Sequence, residues 1–231
     1  MSKLATRIGI WASISQTAVG YGYLIVYVIF MILFPVKPWT TIQAFAADIN
    51  TPYMAWLTAI QALAFLQALL VLVISITLHD FSKPDQKILT RLAMAFALAF
   101  AIISCIHYYV QWTGVRQSIL RNDLEGLGLF VQFNFDSPMS TINMLGWMFF
   151  YGLTTLSLAP LFKNKGIEQW IHWSFLINGI GCILCALILV MGQKWIYLVW
   201  TGLISITWVA YPLLVIVFKR VQRATENIKA V

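Results

Sequence analysis

Charge is what this sequence has least of. Asp and Glu together number 8 and Lys and Arg 15 in 231 residues, a charged fraction of 10%, where a soluble domain carries about 25%. With 61% apolar residues and a mean hydropathy of +0.82, the composition excludes an ordinary soluble domain. The apolar runs are continuous rather than alternating, which excludes the other spanning solution, a β-barrel. Cysteine is scarce too: Cys105, Cys182 and Cys185 all lie inside apolar runs, so no disulfide framework is implied. No Gly-rich phosphate loop, Ser/His/Asp set or carboxylate pair occurs, nor any low-complexity tract or internal repeat.

What is there is six apolar segments, at 14–34, 54–78, 91–113, 139–162, 170–191 and 195–218. Each is long enough to cross a core of about 30 Å at about 1.5 Å per residue. The reading is therefore an all-α polytopic membrane bundle in one domain. Lys3, Arg7 and a later Ala44-Phe45-Ala46 imitate a secretory signal, but the apolar stretch is too long and Pro35-Val36-Lys37-Pro38 separates it from the Ala-x-Ala.

The basic residues orient the bundle. With the N-terminus inside, one side holds Lys3, Arg7, Lys83, Lys87, Arg91, Lys163, Lys165, Lys219, Arg220, Arg223 and Lys229, which is 11 of the 15. The other side holds Lys37, Arg116, Arg121 and Lys194. This asymmetry over short loops predicts cytoplasmic termini. It also accounts for the formal charge of +7 without a nucleic-acid partner. Trp39, Tyr53, Trp56, Trp112, Trp195 and Tyr197 fall near the outer ends and Trp170 and Trp173 near the inner end, as aromatic belts require.

Small residues predict close packing. Ala93, Ala97, Ala101 and Cys105 recur every four residues in the third span. Gly20, Gly22, Gly146, Gly152, Gly179 and Gly181 are candidates for close crossings, and Pro160 and Pro212 for kinks. Two outer loops read as short amphipathic helices. In 40–49, Ile42, Phe45, Ala46 and Ile49 share a face, with Thr40 or Thr41 as cap. In 115–127, Val115, Ile119, Leu120, Leu124 and Leu127 form a face, Arg121 and Glu125 an i, i+4 pair, and Gly126 and Gly128 the end. Ser137-Pro138 reads as N-cap and first position of the fourth helix.

Polar groups inside the spans are few and neutral: Gln16, Gln61, Gln67, His107, Gln111, Asn143 and Asn178. The missing intramembrane carboxylate argues against ion-coupled transport, and the missing ionisable pair against acid/base catalysis. His107 stands out, with Gln111 one turn above and Tyr108 adjacent. It reads either as a ligand contact or proton relay, or as a histidine bonded across a helix interface. Asn143 and Trp147 lie one turn apart in the fourth span, with Asp136 at its mouth. His107, Gln111, Asp136, Asn143 and Trp147 are thus expected to line one outward-facing pocket between the third and fourth spans. For Asn143 the competing reading is an interhelical hydrogen bond, and for Asp136 a place in the capping sequence.

A histidine metal site is excluded by depth, because His79 and His172 sit at the inner ends, and the same holds for a bis-histidine haem. Cys105, Cys182 and Cys185 fall at similar depth, so a thiolate site for a soft metal is geometrically conceivable. Packing of small residues explains the same cysteines. No cofactor is expected.

The stretch Phe135-Asp136-Ser137-Pro138, then Asn143-Met144-Leu145-Gly146-Trp147 and Leu158-Ala159-Pro160-Leu161-Phe162, resembles a pattern in small bacterial multi-spanning inner-membrane proteins of unassigned function. His107-Tyr108-Tyr109-Val110-Gln111, with Arg116 after it, is similar as well. The resemblance covers the third and fourth spans. It implies a bacterial inner-membrane protein and supplies no substrate or catalytic residue.

The expected role is binding or passage of a small apolar or amphipathic ligand, without catalysis. The alternatives are an intramembrane enzyme acting on lipid or quinone through His107, and an accessory subunit docked on another membrane protein. The expected partners are the lipid bilayer, the ligand, and a membrane-protein partner or a second copy of the chain.

Overall fold

Apolar runs without breakers must satisfy their backbone groups internally, and here they do so as helices. The structure, a computed structural model, describes residues 3–34, 41–48, 51–132, 137–162, 165–193 and 196–229. Six helices among these are long and apolar enough to cross a membrane: Lys3–Leu33, Pro52–Phe81, Pro84–Leu120, Pro138–Leu161, Ile167–Val190 and Val199–Ala224. The described residues contain no strand. This is a multi-pass membrane protein, and its spans are numbered here from first to sixth.

The first helix begins at Lys3 rather than at 14, because Lys3 and Arg7 interrupt the apolar run but are good helix formers. The sixth span is discontinuous: Ile196–Ser205 and Thr207–Lys229 meet at Ile206. Pro212 lies inside the second piece, where it removes the hydrogen bond to the carbonyl four residues earlier. The break at Ile206 lies two residues before that carbonyl.

Each span packs against its sequence neighbours, and the first also packs against the sixth. The result is a closed up-and-down ring of six helices, with both termini at one end. A main core fills the ring, with Phe100, Tyr151, Phe175 and Tyr211 among its members. A second cluster of Phe30, Phe45, Leu57, Val115, Ile119 and Val131 closes the end opposite the termini. The outward faces remain apolar, as at Trp11, Ile102 and Leu184.

The small-residue positions carry the crossings. Ala93, Ala97 and Ala101 are buried, while Cys105 is only half-buried. The closest backbone approach at a glycine joins the fourth and fifth spans. A Cβ on Gly179 would stand 2.9 Å from the Gly152 oxygen and 2.9 Å from the Leu156 nitrogen, both backbone atoms that have nowhere to go. Gly20 lies under the Trp208 indole, where a Cβ would meet Cδ1 at 2.9 Å. Gly22 differs from expectation: a Cβ there would make only an ordinary 3.9 Å contact.

The two loops opposite the termini diverge from the sequence reading. Ile42–Ala47 is helical, with Thr41 Oγ1 accepting from the Ala44 amide at 3.2 Å and Phe45 buried. Thr40 and Ile49 lie outside the described residues. The 115–127 helix is not separate. The third span continues through a π-turn at Gln111–Val115 into Arg116–Leu120. It stops at Leu120 because Asn122 takes a left-handed φ of 58°. The Asn122 amide donates to Ile119 at 2.9 Å and Asp123 to Ser118 at 2.9 Å, the two bonds of a Schellman closure. Arg121 and Glu125 are therefore not on one helix, and Leu120 is exposed. Ser137 caps the fourth span, accepting from the Ser140 amide at 3.0 Å with Pro138 in the first turn.

The glycine contacts give a direct stability test. Gly179→Val is expected to cost about 1–3 kcal/mol through backbone displacement, lowering the detergent melting temperature by about 5 °C. Gly202→Ala, with no atom within 4 Å of the new Cβ and the better helix propensity of alanine, is expected not to lower it and to raise it by up to about 4 °C.

Candidate functional site

A polar side chain in a helical bundle costs free energy unless it finds a partner, so each was followed to its hydrogen bonds. At the end opposite the termini the partners are found in the connection between the third and fourth spans. Gln111 uses both ends of its amide: Nε2 donates to the Phe130 carbonyl at 2.6 Å and Oε1 accepts from the Gln132 amide at 3.0 Å. It grips backbone as a neighbouring strand would. Gln61 Nε2 donates to Gln132 Oε1 at 2.7 Å, and Trp112 Nε1 donates to Gln61 Oε1 at 2.9 Å. Ser137 and Ser140 hydroxyls donate to the Val131 carbonyl at 3.3 and 3.4 Å. Val131 and Gln132 are consequently buried, and residues 127–132 form a roof tucked into the bundle.

Under this roof the structure brings together four of the five expected residues. His107, Gln111, Asn143 and Trp147 are all buried between the third and fourth spans. Asp136 lies outside the described residues. The grouping is enclosed rather than open to the outside, and Gln111 is committed to holding the roof. Trp147 Nε1 donates to the Tyr108 hydroxyl at 3.2 Å, and the His107 ring sits edge-on to Tyr108 at 5.0 Å.

His107 itself is different. It is 0% exposed, and neither Nδ1 nor Nε2 has a hydrogen-bond partner. The Met139 backbone and the Gln132 side chain lie close enough to act on the ring as hydrogen-bonding groups, but neither makes a bond of good geometry with a ring nitrogen. Asn143 Oδ1 and Ser104 Oγ, one turn before His107, are likewise unpartnered. For a histidine bonded across the interface, one of the two sequence readings, the Met139 backbone of the fourth span is the group in place.

Both helices are irregular at this level. The π-turn at Gln111–Val115 begins one turn beyond His107, and a second at Leu145–Phe150 begins two residues after Asn143 and contains Trp147. A π-turn spends an extra residue, shifts the facing of the side chains that follow, and occurs often at functional sites. Two of them flank one buried polar cluster.

The remaining candidates go elsewhere. Arg116 lines a cavity of about 20 Å³ between the second and third spans, beneath Phe45 and beside Gln61 and Trp112. That void holds about one water, and it does not lie between the third and fourth spans where a pocket was expected. Cys182 donates weakly to Asn178 Oδ1 at 3.5 Å, while Asn178 Nδ2 donates to Thr155 Oγ1 at 3.0 Å, so these serve the crossing of the fourth and fifth spans. Among the described residues no three of His, Cys, Asp and Glu gather in a way that could hold a metal ion, Cys105, Cys182 and Cys185 included. His79 pairs with Thr90 at 2.7 Å and His172 with the Ala159 carbonyl at 2.8 Å, both at the terminal end.

No known protein family, curated protein or solved structure matches the chain.

Sequence reasoning missed the roof. Val131 and Gln132 sit in a loop whose apolar residues, Leu127, Leu129, Phe130 and Val131, do not say what they pack against, and a Gln side chain gripping a distant backbone leaves no spacing pattern. Its importance is measurable. Gln111→Leu strands the Phe130 carbonyl and the Gln132 amide at a cost of about 1–3 kcal/mol. Amide hydrogen exchange over 127–132 should accelerate about tenfold or more while 93–104 stays protected.

Proposed function

We propose that this is a bacterial inner-membrane protein, with both termini cytoplasmic, that binds or passes a small apolar or amphipathic ligand between its third and fourth spans. The 11 to 4 division of basic residues supports the orientation through the positive-inside rule, and the apolar outward faces support contact with lipid. The single observation that carries the ligand reading is His107, fully enclosed with both ring nitrogens unpartnered. Leaving such groups unmet costs about 1–3 kcal/mol each, an expense that nearby Gln61, Gln111 and Trp112 avoid by pairing. A ligand bearing an oxygen would meet His107, Asn143 and Ser104, with its apolar part against Phe100 and Trp147.

Access requires movement. The residues that close the site belong to the 127–132 roof, held by Gln61, Gln111, Ser137 and Ser140. The flanking π-turns supply places where the third and fourth spans can re-register. Catalysis finds less support, because acid/base chemistry needs a second ionisable group within reach of a reacting atom, and the Tyr108 hydroxyl beside His107 is a neutral group that accepts from Trp147.

The test is a melting assay in detergent with decylubiquinone and oleic acid as probes. At about 100 times Kd a bound ligand stabilises by about 2.7 kcal/mol, or about 5–10 °C for a chain of this size. At least one probe should do so for the wild type and lose most of the effect with His107→Ala and with Asn143→Ala. Equal stabilisation of wild type and both variants, or none of the wild type, would overturn the site.

A further inference from the structure

A second group of unmet polar atoms lies inside the bundle nearer the termini, separated from His107 by aromatic rings. Phe100 and Trp147 stand 4.7 Å apart, Phe100 and Tyr151 5.2 Å, and Trp147 and Trp200 6.0 Å, as ring centroids. Beyond this layer the break in the sixth span is tied by a directed chain. Thr207 Oγ1 donates to the Ile204 carbonyl at 2.7 Å, and Tyr151 donates to Thr207 at 2.8 Å. Each hydroxyl has one proton, so Tyr211 is the donor to Tyr151 at 2.9 Å. The oxygen of Tyr211 then remains an acceptor, and Gln16 of the first span is the side chain that faces it.

That arrangement leaves Gln16 Oε1 without a partner, and Ser13 Oγ, on the same face one turn nearer the N-terminus, without one either. Ser13 is 0% and Gln16 1% exposed. Their depth is bracketed by two contacts of the first span, Gly9 against Thr77 and Phe218, and Gly20 against Trp208. Between the second, fourth, fifth and sixth spans a cavity of about 10 Å³ opens, lined by Ser75, Thr154, Thr155 and Tyr211. One water needs roughly 10–15 Å³ and two to four polar partners. The cavity is of that size; Tyr211 is the residue through which it adjoins the Gln16 group, Val71, Ile74, Leu158 and Phe175 complete its wall, and no charge is there to attract an ion.

We propose that Ser13, Gln16 and Tyr211 form a second binding site, for water molecules, inside the bundle at the break in the sixth span. Water there accepts from Ser13 and donates to Gln16 Oε1, completing the chain that Tyr211, Tyr151 and Thr207 begin. It supplies the hydrogen bonds that a discontinuous helix cannot make for itself. The interior thus has two groups of unpartnered polar atoms, divided by the Phe100, Trp147 and Trp200 rings. This site stands independently of the ligand reading at His107.

The experiment is X-ray hydroxyl-radical footprinting of the full chain in detergent, read by mass spectrometry at Tyr211. Radicals form from bound water itself, so a buried tyrosine beside water is oxidised although bulk solvent cannot reach it. The wild type should oxidise Tyr211 at a rate within about tenfold of exposed Tyr109, slowing at least threefold in the Ser13→Ala, Gln16→Leu double variant. Tyr211 at background, or a rate unchanged by the double variant, would overturn the proposal. If the double variant does not fold, Ser13→Ala alone decides by sign. Removing an oxygen that binds nothing raises the melting temperature, whereas removing one that holds water lowers it.

Discussion

The structure depends on one constraint: a ring of apolar helices must satisfy every neutral polar group it encloses without charge and without bulk water. The solution is largely side chain to side chain or side chain to backbone across the ring. Gln61, Gln111 and Trp112 close the end opposite the termini, Tyr151, Tyr211 and Thr207 tie the break in the sixth span, and Asn178 and Thr155 join the fourth and fifth. Once those bonds are drawn, the unmet atoms fall mainly into two groups, around His107 and around Gln16. Where a bundle that otherwise pairs its polar groups leaves some unpaired, the exceptions are the places to look for function.

The helices were legible because continuous apolar runs of this length have few other solutions, and the crossings because Ala93, Ala97, Gly152 and Gly179 must let backbones approach. Ends were read less well. The third span outruns its apolar segment because the π-turn carries it on to Leu120, and it stops at Asn122 rather than Gly126 because asparagine tolerates the left-handed conformation. The break at Ile206 had only Pro212 as a signal. The site residues were legible as polar exceptions in an apolar background, but their roles were not. Gln111 looked like a ligand contact and is a clamp, since the backbone it grips lies about twenty residues away in a loop.

The two π-turns link structure to the proposed role. A regular helix through Gln111–Val115 would present different side chains to the roof, and one through Leu145–Phe150 would turn Trp147 away from Tyr108. Each turn can re-register locally while the rest of its helix, anchored by the alanine stripe or by Gly152, stays in place. On the proposed role, the roof would open without breaking the ring.

The central claim is that His107 is kept free of protein partners for something that binds there. A density map of the protein in lipid nanodiscs at about 2.5 Å or better addresses it directly. The account predicts non-protein density at about 3 Å from a His107 nitrogen, between the third and fourth spans. A His107 nitrogen hydrogen-bonded to Gln132 or to the Met139 backbone, with no such density, would contradict it.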